Sequence, residues 1–165
     1  MIYPMCKKIF KWVFWILTAV IMVAIFCFSH QEATVSQTTS ESFTKKVLSI
    51  SKSFNELPEV KQTEIVVTIQ FSVRKAAHFS VFAALGLSVF SAMLLTFSKK
   101  HLWLYSLIIC VLYAVSDEIH QLFIAGRACR IGDMFIDTMG SVSGILIVLI
   151  ITTLHSYKKT KKAKH

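Results

Sequence analysis

Residues 113–140 read YAVSDEIHQLFIAGRACRIGDMFIDTMG and lie between two apolar stretches of helical length. The segment contains four acids, two arginines and a histidine. A charged segment between two long apolar runs marks where one membrane helix ends and the next begins. This stretch therefore decides how the second half of the chain crosses a membrane.

The composition around this stretch is that of a membrane protein. The chain has 165 residues, of which 55% are hydrophobic, and its mean hydropathy is +0.62. A soluble domain of this length needs more polar residues to cover its surface. Four apolar runs, at residues 9–28, 76–97, 102–124 and 133–154, are close to the ~20 residues that a transmembrane helix requires.

We therefore predict an all-α fold, an integral membrane bundle of four transmembrane helices that forms a single domain over residues 1–165. The predicted location is the cell membrane, as a multi-pass protein. The first apolar run is longer than that of a cleavable signal peptide, which favours a retained anchor helix. All four cysteines are predicted to be free.

Lysines orient the predicted bundle. The outer loop, residues 29–73, has four lysines and five acids, whereas three short segments carry lysines and no acid. The lysines of those segments are Lys7, Lys8, Lys11, Lys99, Lys100, Lys158, Lys159, Lys161, Lys162 and Lys164. The positive-inside rule then places both termini, including the basic tail 155–165, in the cytoplasm. Because these lysines lie at helix ends, we expect membrane lipids as partners and no nucleic acid.

The outer loop contains an amphipathic segment. Residues 38–41, TTSE, match a capping box. Phe43, Val47, Ile50 and Phe54 follow at helical spacing and predict an interfacial helix of roughly three to four turns. The helix either covers a pocket or is a simple spacer that buries its apolar stripe against the bundle, and we favour the spacer as the simpler interpretation. Pro58 interrupts it, and residues 65–71 form either a second interfacial piece or an extension of the second span.

The predicted topology gathers polar side chains near the outer face. The candidates are Arg74, His78, Asp117, Glu118, His120, Gln121, Arg127, Asp133 and Asp137. Buried charges in a membrane are costly unless they are paired, and they often mark functional sites. Two interpretations follow, salt bridges that hold the helices together or a binding pocket open to the outside. Gly140 and Gly144 share a helical stripe with the two aspartates, so this stripe is expected to face other helices.

The residue types allow several kinds of chemistry. Glu118 or His120 could exchange a proton as catalytic groups, and the arginines could hold a phosphate. The sequence contains no HExxH, CxxC or GxSxG motif, so we predict no metal site and no cofactor and find no activated nucleophile. Four helices without a visible inverted repeat do not favour a transporter.

Three segments of the chain resemble the VanZ-like family of bacterial membrane proteins. They are RKAAHFSVFAALG at residues 74–86, YAVSDEIHQLFIAGR at 113–127 and GDMFIDTMGSVSG at 132–144, and FSHQEATVS at 28–36 resembles the family's segment after its first helix. The resemblance implies a role linked to resistance to the lipidated glycopeptide teicoplanin. It supplies no established reaction.

Two functions are therefore expected to be compatible with the chain. The favoured one is an interaction at the outer membrane face that modulates sensitivity to lipidated glycopeptides or envelope stress. The alternative is a membrane-embedded enzyme that acts on an anionic lipid headgroup or a lipid-linked cell-wall precursor. The expected ligands are thus a lipidated glycopeptide or such a precursor.

The predicted topology can be tested by labelling cysteines on intact cells with a membrane-impermeant thiol reagent. A cysteine placed at Ser36 should react because the outer loop faces the outside, and one placed at Thr160 should not. Labelling is measured above that of the parent protein with its own four cysteines. The reverse pattern would move the polar cluster to the cytoplasmic side.

Overall fold

A computed structural model describes the backbone of residues 2–162 and the side chains of residues 8–161. Within these residues the regular elements are α1 (Ile2–Ser29), α2 (Ala33–Leu48), α3 (Lys52–Asn55), α4 (Glu59–Thr96), α5 (Leu102–Gln121) and α6 (Ile131–Lys162). Four of them, α1, α4, α5 and α6, are long and apolar enough to cross a membrane, which confirms the predicted all-α architecture. Cys6, Lys7, Lys162 and Lys164 were used in the predictions and lie outside the described side chains.

The four long helices alternate in direction. At one end of the bundle the Trp15 indole donates a hydrogen bond of 3.0 Å to the Thr96 hydroxyl, so the first half of α1 meets the end of α4. At the other end the Ser29 hydroxyl donates to Asp117, so the ends of α1 and α5 meet. We call this second end the polar end. Helices α1 and α5 run toward it, and α4 and α6 run away from it.

Glycines allow α4 and α6 to pack with their backbones in contact. A Cβ atom on Gly140 would collide with the carbonyl group of Phe79, and one on Gly144 would collide with that of Ala83. A Cβ on Gly86 of α4 would likewise meet the backbone of Ser141. Small residues at helix interfaces permit such close approach in membranes. The predicted stripe on α6 therefore does face another helix, and it carries Asp137 into the interior.

The apolar core lies below the polar end, between the long helices. Phe82, Leu85 and Val89 of α4 and Cys110 and Ala114 of α5 are almost completely buried. The outward faces of the long helices are apolar and exposed, as lipid-facing surfaces are. Cys27, Cys110 and Cys129 are free, as predicted.

The amphipathic helix differs from its prediction in start and orientation. It begins at Ala33, and the Thr38 hydroxyl bonds to the Thr34 carbonyl inside the helix, so the predicted capping box is wrong. A tertiary contact helps to fix the start instead, because the Ala33 N–H donates to the Ala125 carbonyl.

The apolar stripe of this helix is largely exposed. Phe43 and Val47 on α2 are 59% and 49% exposed, and Ile50 just beyond it is 84% exposed. The buried residue of α2 is Thr44, whereas Phe54, at the end of the predicted stripe, is buried in α3. The prediction that the whole stripe packs on the bundle is therefore wrong, because α2 turns a polar side inward.

Helix boundaries also shift. Helix α4 has 38 residues and begins after Pro58, which gives it a length of about 57 Å at 1.5 Å per residue. Residues 65–71 thus extend the second span rather than form a separate piece. Helix α5 ends at Gln121, three residues before the predicted position, and α6 starts at Ile131 and continues past residue 154 into the basic tail.

The contact between α4 and α6 can be tested with alanine. Gly140→Ala and Gly144→Ala place a methyl group against backbone that cannot rotate away, so each should lower the stability by roughly 1–3 kcal/mol. Gly132→Ala is the matched control, because a Cβ at Gly132 meets nothing within 4 Å. Thermal melting of the purified protein in detergent measures the effect. Equal melting temperatures for the three variants and the parent would contradict the close approach of these helices.

Candidate functional site

The polar end brings together eight of the nine predicted site residues. Asp117, Glu118 and Asp137 form one buried group. Arg74, His78, Gln121, Arg127 and Asp133 line a small cavity beside it. Contacts of His78 with Asp137 and of Gln121 with Asp117 connect the group to the cavity. His120 is the exception.

The buried group consists of three carboxylates from two helices. One oxygen each of Asp117, Glu118 and Asp137 lies within 4.8 Å of the others. The three residues are 4%, 0% and 0% exposed. We call them the carboxylate triad. Like charges this close in a buried environment repel each other unless protons or cations are bound.

Hydrogen bonds from neutral groups reach only some of the carboxylate oxygens of the triad. One oxygen of Asp117 accepts hydrogen bonds from the Ser29 hydroxyl at 2.8 Å and the Gln121 amide at 3.0 Å. One oxygen of Glu118 accepts from the backbone N–H of Arg130 at 2.8 Å. The other oxygen of Glu118 and both oxygens of Asp137 are buried without a hydrogen-bond partner.

Ion pairs at the polar end are few. Lys75 pairs with Asp133, which joins α4 to the start of α6. His78 Nδ1 lies 3.5 Å from an oxygen of Asp137. These two are the salt-bridge contacts found among the described side chains, and the second is an ion pair only when His78 is protonated. Both contacts join α4 to α6, and the arginines form no salt bridge with the described side chains.

Arg127 holds the turn between α5 and α6 against α1. Gly126 precedes it with a φ of 72°, a left-handed conformation that glycine adopts without strain. The Arg127 guanidinium donates to the carbonyls of Gln31 at 3.0 Å and Phe28 at 3.3 Å. It also donates to the Gln121 side-chain carbonyl at 3.3 Å. The Gln121 amide therefore lies between Arg127 and Asp117, which form no direct ion pair.

Cations surround the small cavity. Its volume is about 80 Å³. The lining residues are Ala33, Phe71, Arg74, Lys75, His78, Gln121, Gly126, Arg127, Ala128, Arg130 and Asp133. Burial lowers the pKa of Arg127 from its ordinary value, and the charge of Arg74 lowers it further. A guanidinium group nevertheless stays protonated at neutral pH, so the cavity attracts anions.

A larger, mainly apolar cavity lies between α1, α2 and α4. Its volume is about 560 Å³, and Arg74, His78 and Arg127 line it as well as the small cavity. The other lining residues are Ile25, Phe28, Ser29, Gln31, Ser36, Thr39, Ser40, Phe43, Val73, Ala76, Ala77, Ser80 and Val81. The polar side of α2 thus forms one wall, which favours the interpretation of α2 as a cover over a pocket.

His120 lies on a different side of α5 from Glu118. Its ring stacks on Phe26 with 4.5 Å between the ring centroids, and its Nε2 lies 3.4 Å from Nδ1 of His30. Residues two apart on a helix do not share a face. Glu118 and His120, the predicted catalytic candidates, therefore do not form one catalytic pair.

Ser29 and Gln31 belong to the site, although neither is among the site residues predicted from the sequence. Ser29 is 2% exposed, and its hydroxyl donates a hydrogen bond to Asp117. The Gln31 carbonyl accepts a hydrogen bond from the Arg127 guanidinium. The signal that could have identified them is the FSHQ segment, where polar residues follow directly after an apolar span.

One comparison with known protein families gives a match. The family model VanZ/LLP1 matches residues 14–152, which include the triad and all residues that line the two cavities. Searches of curated proteins and of solved structures found no match. The matched region covers most of the chain, and the chain belongs to the VanZ/LLP1 family.

Proposed function

We propose that this protein binds an anionic amphiphile at the outer leaflet of the cell membrane. The binding modulates sensitivity to lipidated glycopeptide antibiotics of the teicoplanin type or to related envelope stress. One observation supports the proposal above all others. Arg74, His78 and Arg127 line both the small cationic cavity and the large apolar cavity, so a charged head and a hydrocarbon chain can be held side by side.

The cationic cavity suits an acidic headgroup. The Arg74 side chain forms no hydrogen bond or ion pair with any described residue, and its Nε is buried. An unpaired buried donor is costly, and a phosphate or carboxylate would satisfy it. Guanidinium groups match the geometry of both anions.

The apolar cavity suits a hydrocarbon chain. Its volume of about 560 Å³ falls within the range of about 300–1,000 Å³ found for small-molecule pockets. Phe43 from α2 and Ile25 and Phe28 from α1 supply apolar wall. A lipidated glycopeptide and a lipid-linked wall precursor both carry a hydrocarbon chain beside a polar head, so either has the required shape.

A second function has its own supporting observation. Glu118 and Asp137 have buried carboxylate oxygens without hydrogen-bond partners. Asp137 contacts His78, which lines the cationic cavity, so the two carboxylates lie beside that cavity. Carboxylates beside a bound phosphate are suited to proton transfer or to binding a cation. This favours, as the alternative, an enzyme that acts on an anionic headgroup or a lipid-linked cell-wall precursor.

Binding of a fluorescent phosphatidylglycerol to the purified protein in nanodiscs of phosphatidylcholine tests the proposal. Arg74→Gln should weaken this binding by roughly tenfold or more, because a charge-assisted hydrogen bond contributes about 1.5–3 kcal/mol. Lys45→Gln is the matched control, since Lys45 is an exposed cation of α2 that lines neither cavity. Equal affinities for the parent and the Arg74 variant would contradict the proposal, provided that both melt at the same temperature.

The same variants separate the two functions in cells. If binding alone protects the cell, Arg74→Gln should abolish the difference in teicoplanin sensitivity between cells that express the protein and cells that do not. Expression of the parent protein should then leave the masses of lipids and wall precursors unchanged. If the protein is an enzyme, mass spectrometry should detect a new covalent species in cells that express the parent. Protein abundance is measured in each strain, so that loss of folded protein is not mistaken for loss of function.

A further inference from the structure

We infer that the carboxylate triad is a binding site for a hard divalent cation of about the size of Ca²⁺. No metal site is predicted from the sequence, because these residues are possible ligands but match no metal-binding motif and come from two helices. Only the packing of α5 against α6 brings Asp117, Glu118 and Asp137 together.

The geometry of the triad fits one ion. Two oxygens on opposite sides of a Ca²⁺ ion are about 4.6–5.2 Å apart, which is twice the usual Ca–O distance. The three candidate oxygens of the triad all lie within 4.8 Å of one another. A Mg²⁺ ion has shorter bonds, of about 2.0–2.1 Å, and would hold its ligand oxygens closer together than a Ca²⁺ ion does.

Unpartnered atoms of the triad provide a second, independent observation. Oε1 of Glu118 and both carboxylate oxygens of Asp137 are buried, have no hydrogen-bond partner, and belong to side chains that are 0% exposed. Buried polar groups are normally satisfied, and an ionised carboxylate without a partner is more costly than a neutral group. A cation between the two side chains would satisfy these oxygens at once.

The protein's own cations do not fill this role. Lys75 pairs with Asp133, and Arg127 donates to backbone and amide carbonyls. Arg130 contacts the triad through its backbone N–H. His78 is the one basic side chain in salt-bridge contact with a triad member among the described residues, and its distance of 3.5 Å from Asp137 makes this contact weak.

The donor set selects the class of ion. All three side chains offer carboxylate oxygens and none offers sulfur, which favours Ca²⁺, Mg²⁺ or Mn²⁺ over Zn²⁺ or Cu²⁺. The bonds from Ser29 and Gln121 to Asp117, and from the Arg130 backbone to Glu118, would orient two of the ligands. Such outer contacts are common around metal ligands.

The test is the stoichiometry and affinity of Ca²⁺ on the purified full-length protein. The protein is kept in a neutral detergent without anionic lipid, so the result does not depend on the amphiphile proposed above. It is treated with a chelator, dialysed against Ca²⁺ at micromolar to millimolar concentration, and analysed for bound metal. We expect one ion per chain and a higher melting temperature with Ca²⁺ than with chelator, because a ligand that binds only the folded state stabilises it.

Variants locate the ion. Glu118→Gln keeps the size of the side chain and should weaken Ca²⁺ binding by at least about tenfold, since even residues behind the ligands often contribute that much. Asp137→Asn is the second variant and should weaken Ca²⁺ binding to a similar extent. Glu64→Gln is the matched control, because Glu64 is an exposed acid of α4 away from the triad.

Two results would overturn the inference. One is a parent protein that binds fewer than about 0.1 ions per chain at millimolar Ca²⁺, in which case the triad is held together by shared protons. The other is Ca²⁺ binding that is equal in the parent and the folded Glu118 and Asp137 variants, because the ion then lies elsewhere. The number of Ca²⁺ ions bound to the parent protein shows whether the site exists even if a variant fails to fold.

Discussion

The backbone contact between α4 and α6 determines where the charges of the polar end lie. Gly140 and Gly144 let α6 rest on the carbonyl groups of α4, and the two aspartates continue the same stripe toward the polar end. Asp133 thereby meets Lys75, and Asp137 enters the interior beside His78. If the two helices were held apart by larger side chains, Asp137 could not reach the other two members of the triad.

Apart from the pair of Lys75 and Asp133, the charges at the polar end are separated by sign rather than paired. Acids occupy the buried triad, and arginines line the cavity beside it, with Gln121 between Asp117 and Arg127. A scaffold built for stability alone would be expected to pair each buried charge directly, because an unpaired charge in a low-dielectric interior is costly. The separation instead leaves Arg74 and the triad with unused capacity to bind ligands of opposite charge. The cavity lined by arginines therefore suits an anion, and the carboxylate triad suits a cation.

Much of this arrangement could be predicted from the sequence because membrane helices impose strong local rules. The lengths of the apolar runs gave the four spans, and the spacing of Gly140, Gly144 and the aspartates gave the face of α6 that meets another helix. The start of α2 could not be predicted in the same way. A capping-box pattern describes local hydrogen bonds, whereas the contact between Ala33 and Ala125 involves residues distant in sequence.

The triad and the position of His120 could not be predicted from the sequence, because they depend on which helices pack beside α5. Asp117 and Glu118 are adjacent in sequence and point in directions about 100° apart on a helix of 3.6 residues per turn. Both can be buried only because α1 covers one side and α6 the other, and the sequence does not specify these neighbours. Asp117 and His120 share a helical stripe, yet His120 stacks on Phe26 and His30 while Asp117 binds Ser29.

A double-mutant cycle tests most directly whether the acids and arginines are separated. The free energies of unfolding of Asp117→Asn, Arg127→Gln and the double variant are measured in detergent, first with Gln121 and then in a Gln121→Met background. The hydrogen bonds through Gln121 predict a coupling energy of about 0.5 kcal/mol or more in the first cycle. They also predict that at least half of it is lost in the second cycle, because methionine removes both hydrogen bonds. A coupling energy that is unchanged by Gln121→Met would show a direct ion pair and contradict the separation of charges.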